Sequence, residues 1–153
     1  MQTPRLEIKD IVKDFGGRRV VDHVDLTVMP GQVTCRLGPS GCGKSTTLRI
    51  IAGVEKQDSG TIHVDGRLVC DTVFRLPPED RSIGLMFQDF ALFPHLTVGQ
   101  NVAFGLKGRE SGARVNSLLK KVGMLGHIDD YPHQLSGGEQ QRVALARSLA
   151  PQP

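Results

Sequence analysis

Much of what this chain could be is narrowed by what it lacks. No apolar run approaches the length needed to cross a bilayer. Met1-Gln2-Thr3-Pro4-Arg5 leads straight into an alternating pattern, so no signal peptide is expected there. Cys35, Cys42 and Cys70 are odd in number and stand outside any CxxC spacing, and they read as reduced cytosolic thiols rather than a disulfide frame or a metal site. No block of Lys or Arg exceeds two residues, and a net charge of +3 is only mildly basic, so nucleic acid is not an expected partner. His95 has no second histidine or carboxylate at ligand spacing, and His23, His63, His127 and His133 read the same way. Internal repeats and low-complexity tracts are missing too.

What remains describes an ordinary globular domain. The 153 residues suffice for one sizeable core, with 39% hydrophobic and 23% charged residues. One stretch organises it. Gly38-Pro39-Ser40-Gly41-Cys42-Gly43-Lys44-Ser45-Thr46 fits G-x-x-x-x-G-K-[ST]. Glycines let successive backbone N–H groups converge on phosphate oxygens, Lys44 brings a point charge to the β/γ-phosphates, and the Ser45 hydroxyl can hold Mg²⁺. The motif needs a strand before it and a helix after it. Val33–Leu37 is expected to supply the strand. Leu48, Ile51 and Ala52 supply helical spacing, and Gly53 supplies the stop. The helix would then point its positive end at the anion.

The rest of the chain predicts a mixed fold. Leu6–Ile11 and Val24–Val28 alternate apolar and polar residues around the turn at Asp14–Arg18, which suggests an antiparallel sheet with one wet face. Thr61–Val64 and Arg67–Val69 flank Asp65-Gly66, a hairpin signal. Ser82–Phe87 reads as a buried strand. Val115, Leu118, Leu119 and Val122 mark an amphipathic helix with Gly123 as its stop. Ser136-Gly137-Gly138-Glu139 is a capping box that opens a helix carrying Val143, Ala146 and Ala150, with Pro151 at its end. The order of elements indicates an α/β nucleotide-binding domain with a helical insertion.

Leu135-Ser136-Gly137-Gly138-Glu139-Gln140-Gln141-Arg142, together with the phosphate loop and Phe87-Gln88, closely resembles the nucleotide-binding subunit of ATP-binding cassette transporters, over essentially the whole chain. The resemblance implies a P-loop NTPase core with an N-terminal antiparallel β subdomain and a helical signature subdomain. It divides the chain at 1–87, 88–135 and 136–153. It implies ATP and Mg²⁺ as ligands, held by Phe15, residues 38–46, Gln88, and Ser136, Gly137, Gly138 and Glu139. In the family, Phe15's position stacks on adenine, although a core phenylalanine is the plainer reading of the residue by itself. In the family, Gln88's position is a glutamine that touches Mg²⁺ and the attacking water; the residue by itself reads as well as a polar residue closing a strand. Lys44 and Gln88 are the implied catalytic positions within the chain. Ser136, Gly137 and Gly138 would leave N–H groups open toward the γ-phosphate held by a second copy, arranged head to tail, or simply cap a helix.

The implied partners are that second subunit, a transmembrane permease docking near Gln88 to Leu96, and indirectly a periplasmic solute-binding protein. The implied location is the cytoplasmic face of the bacterial inner membrane. Pro77–Arg81 and Leu92–Val98 resemble importer ATPases for ferric iron, polyamines, sulfate or sugars, and Ile83–Leu106 inclines the reading to ferric iron. Two other classes stay open: a soluble cassette ATPase without a membrane partner, and a catalytically silent ATP-binding fragment. Two features depart from the family pattern. Arg36 occupies a strand position that is normally aliphatic, and a buried unpaired charge there would be costly. The chain also ends at Pro151-Gln152-Pro153, before the family's aspartate–glutamate strand and histidine. This predicts an incomplete sheet, weak nucleotide binding and no turnover from these residues alone.

Overall fold

A computed structural model describes residues 2–106 and 111–153, which form two compact units, Met1–Ile83 and Gly84–Pro153. The first unit runs β1 (Leu6–Phe15), β2 (Arg18–Val28), α1 (Lys44–Ala52), β3 (Ser59–Val64) and β4 (Arg67–Cys70). The strands make one antiparallel sheet in the order β2-β1-β3-β4. Both hairpins turn where their residues allow it. Gly16 and Gly17, at φ 54° and 84°, form a two-residue turn that pairs Phe15 with Arg18. Such turns need positive φ at both central residues because only that hand of twist matches the strands. Asp65 and Gly66 do the same between β3 and β4.

One face of this sheet carries Ile8, Ile11, Val21, Ile62 and Val69, which pack with Ile50 and Ile51 of α1. Each fully buried aliphatic side chain contributes roughly 1.5–3 kcal/mol. The expected helix is present and ends at Gly53 in the left-handed region, with its amide bonded to the Ile50 carbonyl at 3.0 Å. Leu48 is an exception to the expected apolar face: it points outward and is 56% exposed.

Two expected strands are absent. Val33–Leu37 and Ser82–Phe87 have irregular backbone, and Val33 and Leu37 are each 91% exposed. The physical reason is pairing. A strand is stable only where a neighbour accepts its N–H and C=O groups, and every described strand pairs within the antiparallel sheet, leaving none beside these two segments. High β propensity does not substitute for a ladder. The burden expected of Arg36 disappears with its strand: the residue is exposed, and its guanidinium donates to the Thr47 hydroxyl.

The second unit contains α2 (Val98–Ala103), α3 (Ser111–Lys121) and α4 (Gly137–Leu149). Its core includes Val102, Val115, Leu118, Leu119, Met124, Val143 and Ala146, so the helical spacing expected of α3 and α4 is realised. Thr97 and Gln100 close a capping box at the start of α2. Buried Asn101 staples the preceding loop to this helix. Its amide nitrogen donates to the carbonyls of Phe93, Leu96 and Thr97, and its oxygen accepts from the Phe93 amide at 2.8 Å.

Candidate phosphate site and signature helix

The phosphate loop is shaped by the way α1 begins. Gly43 is the N-cap at φ 80°, no side chain caps the helix, and its first turn holds no acidic residue. The early amides of a helix have no intrahelical acceptor, so this end keeps its donors and its positive dipole available. Thr47 supplies the first helical bond, from its amide to the Gly43 carbonyl at 2.8 Å, and its hydroxyl donates to the same oxygen at 2.8 Å. Pro39, Ser40 and Gly41 are exposed, and the Cys42 amide closes a turn onto the Pro39 carbonyl at 3.4 Å. The Lys44 ammonium donates to the carbonyls of Gly38 and Pro39, both at 2.7 Å, with the Cys42 sulfur at 3.5 Å. Ser45 is exposed and Thr46 half-buried on the first turn. Backbone amides, an ammonium and a hydroxyl with no competing carboxylate make a donor set suited to a polyphosphate.

Gly43 also meets the sheet. A Cβ there would lie 2.2 Å from the carbonyl oxygen of Val20 in β2, a distance no real side chain tolerates. The loop is therefore seated against the same hairpin whose turn carries Phe15. That phenylalanine ends β1 and is 45% exposed, which removes the core reading. The Lys13 ammonium lies over its ring, 4.9 Å from the centroid. Lys13 is held in turn by Glu55 at 3.2 Å and Asp58 at 3.5 Å. Asp58 also accepts from the Asp14 amide at 2.6 Å. Among the described residues, no group of three or more His, Cys, Asp or Glu could hold a metal ion. In the first unit the exposed Ser45 hydroxyl is the group of the phosphate loop that could reach a Mg²⁺ ion held with the phosphates.

In the second unit the signature segment forms the expected box. The Ser136 amide and hydroxyl both donate to the Glu139 carboxylate, at 2.8 and 2.7 Å, and the Glu139 amide donates back to the Ser136 hydroxyl at 3.4 Å. These bonds, from the Ser136 side chain first and its backbone second, hold the Glu139 carboxyl below its ordinary value. The openness expected of this end is thus confined to Gly137 and Gly138, since Ser136 and Glu139 answer one another. Gln88 sits exposed in a turn. Beyond it, Phe90 and Ala91 adopt φ 61° and 46°. Arg147 of α4 holds their carbonyls, donating to Phe90 at 3.0 Å and Ala91 at 2.7 Å, with its guanidinium 5.4 Å from the centroid of Phe93. An apolar cavity of 380 Å³ opens beside this contact, lined by Phe87, Ala91, Phe93, Phe104 and Arg147 among others.

A family model described as ABC transporter matches residues 21–153. The chain belongs to the ABC transporter family. It is 49% identical to the putrescine transport ATP-binding protein PotG of Escherichia coli K12, an alignment covering 99% of this chain and 40% of that protein. It is 50% identical to the sulfate/thiosulfate import ATP-binding protein CysA of Mycobacterium tuberculosis H37Rv, over 99% of this chain and 43% of that one. Identity to the Fe(3+) ions import ATP-binding protein FbpC 2 of Pectobacterium atrosepticum is 47%, over 97% and 44%. The chain thus spans about two fifths of the length of these curated relatives. Among solved structures, a dimeric ATP-binding cassette in a post-hydrolysis state with ADP and Pi superposes with a TM-score of 0.84 at 33% identity, covering 97% of this chain and 70% of that one. The fold is that of an ABC cassette.

Sequence reasoning missed Lys13, Asn101 and Arg147. Lys13 had a readable signal, because residues two apart on a strand share a face and Lys13 therefore stands beside Phe15. The partners of Arg147 lie 56 and 57 residues away, and no local pattern announces them.

Proposed function

We propose that this chain is the nucleotide-binding part of an importer ATPase. Its phosphate loop holds ATP, and hydrolysis by the whole subunit drives solute import through a membrane permease. The observation that carries this reading is the start of α1, where uncapped amides stand beside Lys44 with no acidic residue in the first turn. Polyphosphate oxygens would accept from those amides, and Lys44 would exchange the Gly38 and Pro39 carbonyls for the β/γ-phosphates. Phe15 offers its exposed ring to the adenine. Mg²⁺, when bound with the nucleotide, neutralises phosphate charge, and Ser45 is the residue of the phosphate loop that would reach it.

A second copy completes the site in this reading. Gly137 and Gly138 of one chain would face the phosphates held by the other, and the dimeric form of the superposed cassette supports that arrangement. The segment from Gln88 to Leu96, fixed by Asn101 and Arg147, is the proposed docking point for a permease at the membrane's cytoplasmic face. No helix of the described residues is long and apolar enough to cross a membrane. For cargo, relatives named for putrescine, sulfate/thiosulfate and Fe(3+) match this chain almost equally, at 49%, 50% and 47% identity. Ferric iron is one candidate among these, favoured no more than the others.

The test is calorimetric titration of the chain with ATP and Mg²⁺, set against Lys44→Ala. Binding that the substitution abolishes or weakens at least about tenfold supports the proposal. ATP binding that is absent, or indifferent to Lys44, overturns it.

A further inference from the structure

We propose that Lys13 is a positioning residue for the nucleotide base, acting through Phe15; the inference rests on the reading of Phe15 as the base-stacking ring. Three observations converge on it. The ammonium of Lys13 lies 4.9 Å from the Phe15 ring centroid, within the range of a cation–π contact. It is not free to leave, since Glu55 and Asp58 hold it at 3.2 and 3.5 Å and its side chain is only 11% exposed. The backbone is tied at the same place: the Asp14 amide donates to Asp58 at 2.6 Å, and the Asp58 amide donates to the Val12 carbonyl at 2.8 Å. The ring itself remains 45% exposed.

Two physical consequences follow. An exposed phenylalanine at a glycine turn samples several rotamers, and every rotamer but one must be given up when a base stacks on it. A cation held over the ring removes part of that entropy in advance, which strengthens binding without adding any contact to the ligand. The same charge draws on the ring's negative quadrupole, leaving an electron-poor surface for an electron-rich purine. Lys13 touches no part of the nucleotide in this scheme. Glu55 and Asp58 lie beyond α1 in the chain, so the loop that follows the phosphate helix reaches the base side of the site through Lys13.

The experiment compares ATP with tripolyphosphate, which keeps the phosphates and lacks the base, by calorimetric titration in the presence of Mg²⁺. Lys13→Met is expected to weaken ATP about three- to tenfold, with tripolyphosphate affinity and melting temperature little changed. Lys13→Arg, which keeps the cation, should restore ATP affinity to within about twofold of the parent. Equal losses for both ligands would show a merely structural role and overturn the inference, as would unchanged ATP affinity. Phe15→Ala separates the two layers of the argument. If it weakens ATP alone and Lys13→Met does not, the inference fails and the reading of Phe15 stands. If Phe15→Ala leaves ATP untouched, the reading of Phe15 fails and the inference falls with it. Should Lys13→Met not fold, Glu55→Gln decides: a selective loss for ATP supports the tether, and no loss refutes it.

Discussion

The Thr47 hydroxyl donates to the Gly43 carbonyl at 2.8 Å, so the residue that turns the phosphate loop into α1 is held by a side chain one helical turn further on. Thr47 is 2% exposed, and the same hydroxyl accepts from Arg36. Thr47→Val is expected to cost about 1 kcal/mol in urea unfolding, because the Gly43 oxygen keeps its bond from the amide and loses only the second donor. Thr47→Ser should recover part of that loss. A valine variant as stable as the parent would show that the hydroxyl contributes nothing to the loop.

Gly53 makes a sharper case. A Cβ there would stand 2.6 Å from Nε of Arg81, and φ is +82°. Arg81 cannot move aside easily: it is 1% exposed, and it donates to the carbonyls of Leu76, Ile50 and Ile51 at 2.9–3.0 Å, closing the end of α1. Gly53→Ala should therefore lose more than the ~1–2 kcal/mol that a left-handed backbone alone costs a residue with a Cβ. Gly17→Ala is the control, since it has a φ of +84° and nothing within 4 Å. Equal urea midpoints for the two variants would refute the clash.

The pair of His23 and Asp10 predicts a pH dependence of stability. Asp10 accepts from the histidine ring, and that hydrogen bond, followed by the carboxylate's charge, raises the His23 pKa above 6.5. The folded chain thus binds the proton more tightly than the unfolded one. The contribution is full below the ordinary histidine value and is lost as pH rises through the raised one. Melting temperatures of the parent and Asp10→Asn should differ most near about pH 5.5 and converge toward about pH 9. Asparagine tolerates the φ of 54° at this position, so the backbone is not the variable. A difference that stays constant across the range would remove the pair as its cause.

Local signals carried well from residues to structure. The two hairpins were readable because Gly16-Gly17 and Asp65-Gly66 specify turns within a few atoms of themselves, and the Ser136–Glu139 box specifies a helix start in the same way. The phosphate loop and its helix were legible for the same reason. Pairing was not. Val33–Leu37 has strand composition and no strand, because a ladder needs a neighbour that composition cannot announce. With the strand went the cost expected of a buried charge at Arg36, which is exposed. Tertiary ties escaped as well: Arg81 to the carbonyls ending α1, Arg147 to those of Phe90 and Ala91, and Lys13 to the Glu55 and Asp58 carboxylates each join groups whose relation appears only after folding.

The contact between Gly43 and Val20 bears on how the phosphate motif can be dissected. A side chain at position 43 would collide with the sheet before any ligand arrives. Lost nucleotide binding in a Gly43 variant would then report a displaced hairpin as readily as a missing phosphate donor. Glycine scanning through this loop confounds scaffold with ligand, and a silent version of the site is better made at Lys44, whose side chain ends on exposed loop carbonyls.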